Sequence, residues 1–208
     1  MMIGESPFRH LPRIAPGSRI GLLGGSFNPP HAAHRDATLL ALKRADLDRV
    51  WWLVTPGNPL KNNDALPPLA DRAAAARAFA RHPGIAVTDV EAALGMRYTV
   101  DTLAALRRLC PRVHFVWIMG ADGLRDFHRW RDWQRIFTLM PIIVVDRAGL
   151  GLRALASPAA RRFAARGLSE AAAGRLATAE PPAWVFLHGL KSPVSSTAIR
   201  ARTVSAGG

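Results

Sequence analysis

Short apolar runs recur along the chain, separated by stretches rich in helix formers. Residues 19–23, 50–54, 85–88, 113–118, 142–145 and 184–187 form these runs. Several are apolar on consecutive positions, the pattern of strands covered on both faces. Residues 32–44, 69–81 and 100–109 read as helices, and 122–137 as a turn-and-helix region. Within the first helix Ala33, Ala37 and Leu40 fall on one face. This strand–helix alternation predicts an α/β fold with an open parallel sheet, helices on both faces and right-handed crossovers. Its ligands gather beyond the carboxyl ends of the strands. Residues 149–183 are rich in Ala and Arg, and their helical pattern breaks around Ser157-Pro158 and Gly167. That stretch is expected to be a variable insertion or a mobile segment. Residues 1–18 read as an N-terminal extension and residues 19–208 as a single domain.

Composition narrows the class. The 208 residues are 49% hydrophobic, enough for a sizeable core. Cys110 is the only cysteine, so no disulfide forms within the chain and no cysteine-rich zinc site exists, which fits a reducing compartment. The first 18 residues carry prolines and charges without a long apolar stretch, so a soluble cytoplasmic protein with no membrane partner is expected. Lys and Arg number 28 against 15 for Asp and Glu, a formal charge of +13. A basic nucleic-acid-binding protein is the alternative this raises. The arginines are scattered, however, with only Arg107-Arg108 and Arg161-Arg162 as doublets and no basic tail. A basic surface that attracts nucleotides accounts for them, and no nucleic-acid partner is expected.

The densest chemistry lies in Gly24-Gly25-Ser26-Phe27-Asn28-Pro29-Pro30-His31-Ala32-Ala33-His34. Gly24 and Gly25 let backbone amides approach a ligand where the first strand is expected to end. The prolines then delay the helix until about His31. Free amides and the positive end of the macrodipole make that helix start an anion site, with His31 and His34 on the same side of its first turn. The glycine spacing fits neither the dinucleotide pattern G-x-G-x-x-G nor a P-loop. Two further segments carry similar chemistry. Thr55-Pro56-Gly57-Asn58-Pro59-Leu60-Lys61 is a structured loop at the end of the second strand. In Pro193-Val194-Ser195-Ser196-Thr197-Ala198-Ile199-Arg200, Ser and Thr cap a helix start and Arg200 follows Ser196 by one turn.

These segments resemble motifs of the nucleotidyltransferase superfamily. Gly25 to His34 is similar to G-x-F-[DN]-P-x-H-x-G-H, with Ala33 standing where the family has glycine; the loop ending at Lys61 resembles P-x-x-P-x-K, and residues 196–200 resemble S-[ST]-x-x-R. Tyr98-Thr99-Val100-Asp101-Thr102-Leu103 and Gly120-Ala121-Asp122 through Phe127 and Trp130 resemble the corresponding motifs of bacterial nicotinate-mononucleotide adenylyltransferases. The resemblance implies a Rossmann-like fold and adenylyl transfer from ATP to nicotinate mononucleotide, a step of NAD biosynthesis. It implies His31, His34, Lys61 and Arg200 as the catalytic set. Gly24, Gly25, Ser26, Phe27, Gly120, Asp122, Ser196 and Thr197 join His31, His34 and Arg200 at ATP. Thr99, Trp130 and Lys61 meet the mononucleotide, while Trp133 packs. Mg²⁺ arrives through the ATP phosphates, so no protein metal ligand is named. Transfer to phosphopantetheine or nicotinamide mononucleotide is the alternative within the superfamily.

Overall fold

The computed structural model describes residues 7–57, 63–146 and 151–189. All six expected strands form: β1 Arg19–Gly25, β2 Arg49–Val54, β3 Ile85–Thr88, β4 His114–Gly120, β5 Ile142–Val145 and β7 Trp184–Leu187, with β6 Gly167–Leu168 added at one edge. The sheet order is β3-β2-β1-β4-β5-β7-β6 and every pairing is parallel. Crossovers run one way from β1 to β2 and β3 and the other way to β4 and β5. The carboxyl ends of β1 and β4 therefore flank the point where the strand order reverses, the natural crevice of such a sheet.

Alternate residues of each strand feed two cores. Ile20, Leu22, Trp51, Phe115, Trp117 and Met119 lie on one face, and Leu23, Val50, Trp52, Val116 and Ile118 on the other. Trp51 and Trp52 thus point to opposite sides, both fully buried, as the period of two demands. Against the first face pack α3 Val90–Ala93, α4 Thr99–Leu109, α5 Ala121–Asp126, α6 Trp133–Leu139, α7 Gly151–Leu155 and α8 Pro158–Arg162. The second is covered by α1 Ala32–Arg44, α2 Leu69–Ala80 and the 3₁₀ stretch Glu170–Thr178. In α1, Ala33, Ala37, Thr38 and Ala41 are buried, and the Thr38 hydroxyl accepts the Trp52 indole N–H at 2.8 Å.

Two expectations change. β1 does not stop before its glycines: Gly24 and Gly25 stay in register with Leu53 and Val54 of β2. The Ala/Arg-rich stretch is packed rather than loosely held. Ala154, Ala159 and Ala160 enter one core, and Ala173, Leu176 and Ala177 the other. Its apolar stripe is alanine, too weakly hydrophobic to stand out as a period. Ser157-Pro158, read as a break, is a helix start: the Ser157 hydroxyl accepts the Ala160 N–H at 3.3 Å and Pro158 occupies the first turn. No helix among the described residues is long and apolar enough to cross a membrane.

Ahead of β1, Leu11 and Ile14 pack on the first core, and the His10 ring lies 2.9 Å from the Asp89 carboxylate. Burial raises the Asp89 carboxyl, but the His10 hydrogen bond, a backbone hydrogen bond and the His10 and Arg77 charges together outweigh it and hold the group below its usual range. A depressed carboxyl stabilises the fold above its unfolded pKa, and that contribution is lost as pH falls through the lowered folded value. Both side chains are about one-third exposed. His10→Ala should therefore cost under about 1 kcal/mol at neutral pH, the difference from wild type vanishing on acidification. Urea melts of the two proteins across pH check this.

Candidate active site

The cleft is built around the end of β1. A Cβ on Gly24 would lie 2.6 Å from Trp117 Cη2, so the indole rests directly on the strand backbone. A Cβ on Gly25 would lie 3.2 Å from the Phe27 ring. Phe27 itself takes a left-handed φ of 46°, a conformation that costs a bulky residue about 1–3 kcal/mol. Its ring is buried and stacked on Trp52, centroids 4.8 Å apart and planes 16° from parallel, which offsets that strain. The Phe27 side chain therefore supports the cleft from beneath. Gly24, Gly25 and Ser26 line it.

His31 caps α1 in extended conformation, and His34 stands in the first turn. Their rings stack with centroids 3.8 Å apart. The His31 backbone N–H donates to His34 Nδ1 at 3.3 Å. That bond needs an unprotonated Nδ1, so the proton of the neutral ring sits on Nε2. His34 also packs against Phe27 and lines the cleft, while His31 is only 4% exposed. The helix start thus holds His34 as an outward donor backed by its buried neighbour. Ala33, at the family's glycine position, is fully buried.

The opposite wall comes from β4, α5 and α4. Gly120, Asp122, Thr99 and Trp130 all line the same cleft as His34. Trp130 is half-buried, edge-on to Trp117 at 6.3 Å and to Phe127 at 5.0 Å. Trp133 instead packs edge-on against Phe127 and Phe163. At the mouth the Arg131 guanidinium lies over the Tyr98 ring, 4.6 Å from its centroid, with Arg97 at 5.9 Å. Two cations gathered on one aromatic ring favour an anionic guest. Lys61, Ser196, Thr197 and Arg200 lie outside the described residues.

Besides Arg97 and Arg131, two more charged residues in the cleft region were missed from sequence. Glu91, in the short helix α3, lines the cleft yet is 7% exposed. Burial pushes its carboxyl up, against hydrogen bonding with Thr55 and Thr102. The Thr55 hydroxyl also donates to the Gly57 carbonyl and that of Thr102 to the Tyr98 carbonyl. Four residues of helix give no period to betray such a position. Arg72 is buried in α2 on the stripe of Ala73, Ala76 and Ala80; a lone charge among alanines was the available signal.

A raised carboxyl favours the protonated folded state, so stability falls as pH climbs past the ordinary glutamate pKa and levels off above the raised value. Glu91→Gln keeps a donor and removes the titration. Its melting temperature should gain on wild type from acid to neutral pH, as read by thermal melts in a buffer series.

Residues 22–202 match the cytidylyltransferase-like family. The probable nicotinate-nucleotide adenylyltransferase of Bradyrhizobium sp. strain BTAi1 is 60% identical over 182 residues, covering 88% of this chain and 95% of the relative. One from Methylorubrum extorquens is 57% identical over 184 residues, 88% of this chain and 100% of the relative. Among solved structures, the Plasmodium falciparum nicotinic acid mononucleotide adenylyltransferase complexed with NaAD superposes with a TM-score of 0.62 at 17% identity, over 88% of this chain and 82% of that one. The complex of the same enzyme with APC gives 0.64 at 16%, covering 88% and 83%. At that identity the structures speak for the fold, a Rossmann-like parallel sheet, and the sequence relatives for descent. This chain belongs to the nicotinate-nucleotide adenylyltransferases of the cytidylyltransferase-like family.

Proposed function

We propose that the protein transfers the adenylyl group of ATP to nicotinate mononucleotide, yielding nicotinic acid adenine dinucleotide and pyrophosphate in NAD biosynthesis. The observation that carries this reading is one continuous cleft joining the glycine end of β1 and His34 to Thr99 and Trp130. Such a cleft has a phosphate half and an aromatic half. The nucleophile is the mononucleotide phosphate, whose second pKa near ~6 leaves it largely dianionic at neutral pH. No protein base is needed. A phosphate oxygen forms a bond to the α-phosphorus of ATP, the bond from that phosphorus to its bridging oxygen breaks, and the electron pair leaves with pyrophosphate. The chain's task is to align two mutually repelling anions and stabilise charge on the α-phosphate and leaving group.

His34 Nε2–H, the α1 amides and the dipole of that helix suit the phosphate half. By motif, Lys61, Ser196, Thr197 and Arg200 join it, with His31 holding His34 in place. Gly120 and Asp122 suit the adenosine ribose, Trp130 the pyridine ring and Thr99 its carboxylate. Bound Mg²⁺ would neutralise phosphate charge, taking phosphate and water oxygens as ligands. A cytoplasmic setting fits the single, buried Cys110.

Pyrophosphate release from ATP, measured with nicotinate mononucleotide and separately with nicotinamide mononucleotide, tests the reading. Release with the nicotinate acceptor is expected, and none with either acceptor overturns it. In the same assay His34→Ala should lose on the order of 10² in kcat while remaining folded. Trp130→Ala should raise KM for the mononucleotide roughly three- to tenfold, the worth of an aromatic platform, leaving KM for ATP nearly unchanged. Trp133→Ala, away from the cleft, should lower only thermal stability.

A further inference from the structure

Arg72 is only 3% exposed, yet its guanidinium faces four main-chain carbonyls. Nε donates to Pro67 at 2.8 Å, Nη1 to both Ser26 at 2.9 Å and Thr55 at 2.8 Å, and Nη2 to Pro56 at 3.3 Å. Among the described residues no carboxylate pairs with it. Burying a cation without a counter-ion is costly, and an apolar side chain would have satisfied the surrounding alanines of α2. The four carbonyls come from three separate segments. Ser26 follows the glycine end of β1, Thr55 and Pro56 follow β2, and Pro67 leads into α2. The planar fork matches this arrangement, which a single ammonium could not span.

Both gripped loops lead to the chemistry. Ser26 precedes the turn into His31 and His34, and Thr55-Pro56 opens the loop toward Lys61. They are also tied to each other, the Thr55 N–H donating to the Gly25 carbonyl at 3.0 Å. A trans peptide sets C=O and N–H on opposite sides. With the Ser26 and Pro56 carbonyls drawn to Arg72, the N–H groups of Phe27 and Gly57 face away from the guanidinium. The same grip on Ser26 helps hold Phe27 in its left-handed conformation.

We propose that Arg72 is a positioning residue for adenylyl transfer, clamping the ends of β1 and β2 from beneath so that the two phosphate-binding loops keep a fixed separation and their amides turn toward the reacting phosphates. This rests on the adenylyl-transfer reading above. The clamp touches no substrate; it acts through the Ser26 and Thr55–Pro56 backbone. Misplacing reacting groups by about 1 Å can cost 10²-fold in rate, so the effect belongs in kcat more than in acceptor binding.

The test compares Arg72→Ala and Arg72→Lys with wild type, measuring melting temperature, kcat per folded molecule and KM for each substrate. Arg72→Ala should lose about 10²-fold in kcat, with KM for the mononucleotide within about threefold of wild type. Added guanidinium ion should restore part of the lost kcat, and sodium chloride at equal ionic strength should not. Arg72→Lys, the variant more certain to fold, should fall between, keeping the charge but not the fork. Wild-type kcat per folded molecule in Arg72→Lys overturns the proposal. So does an Arg72→Ala protein that melts lower but turns over normally, or one whose loss guanidinium leaves untouched. A wild-type protein that releases no pyrophosphate would instead sink the adenylyl-transfer reading.

Discussion

A parallel sheet buried on both faces leaves polar chemistry one place to collect, the ends of its strands. β1, β2 and β4 have fully enclosed centres, so no polar group can work from a face. What distinguishes this sheet is how closely β1 is held at its carboxyl end. Glycine at position 24 brings Trp117 onto the backbone, the Gly25 carbonyl receives Thr55, and Arg72 draws two strand ends together from below. The backbone at this end of the cleft is thus held from three directions.

The layout of the sheet was legible because its strands are short consecutive apolar runs separated by helices, and neither signal needs tertiary information. The glycine-histidine segment was legible because its residue types serve few purposes together. Other features were not. Alanine stripes in α7, α8 and the 3₁₀ stretch Glu170–Thr178 carry too little hydrophobic contrast to predict packing. The direction of the Phe27 ring is another such feature, since a motif gives position but not the way a side chain turns when its φ is positive. Glu91 and Arg72 depend on contacts between segments far apart in sequence, which no local pattern reports.

Electrostatics in the cleft are graded rather than uniformly positive. Arg97 and Arg131 stand at the mouth around the Tyr98 ring, and Arg72 lies below the phosphate loops with its charge spread over carbonyls. Glu91, the acid within the lining, is kept toward its neutral form by burial. The +13 charge of the whole chain draws anions in from a distance, and these individual placements decide where they settle.

The contact between position 25 and the Phe27 ring reaches into how this segment can vary. A methyl on residue 25 would meet the ring at 3.2 Å, and the ring is also stacked on Trp52 with centroids 4.8 Å apart, so any shift to make room disturbs that stacking. Glycine at 27 would relieve the left-handed backbone but empty the space between Trp52 and the strand. A larger side chain at 25 therefore displaces the ring, and a smaller one at 27 leaves Trp52 without its stacking partner. Across descendants of this sequence the two positions should drift as a unit, a constraint of mutational order imposed by packing alone.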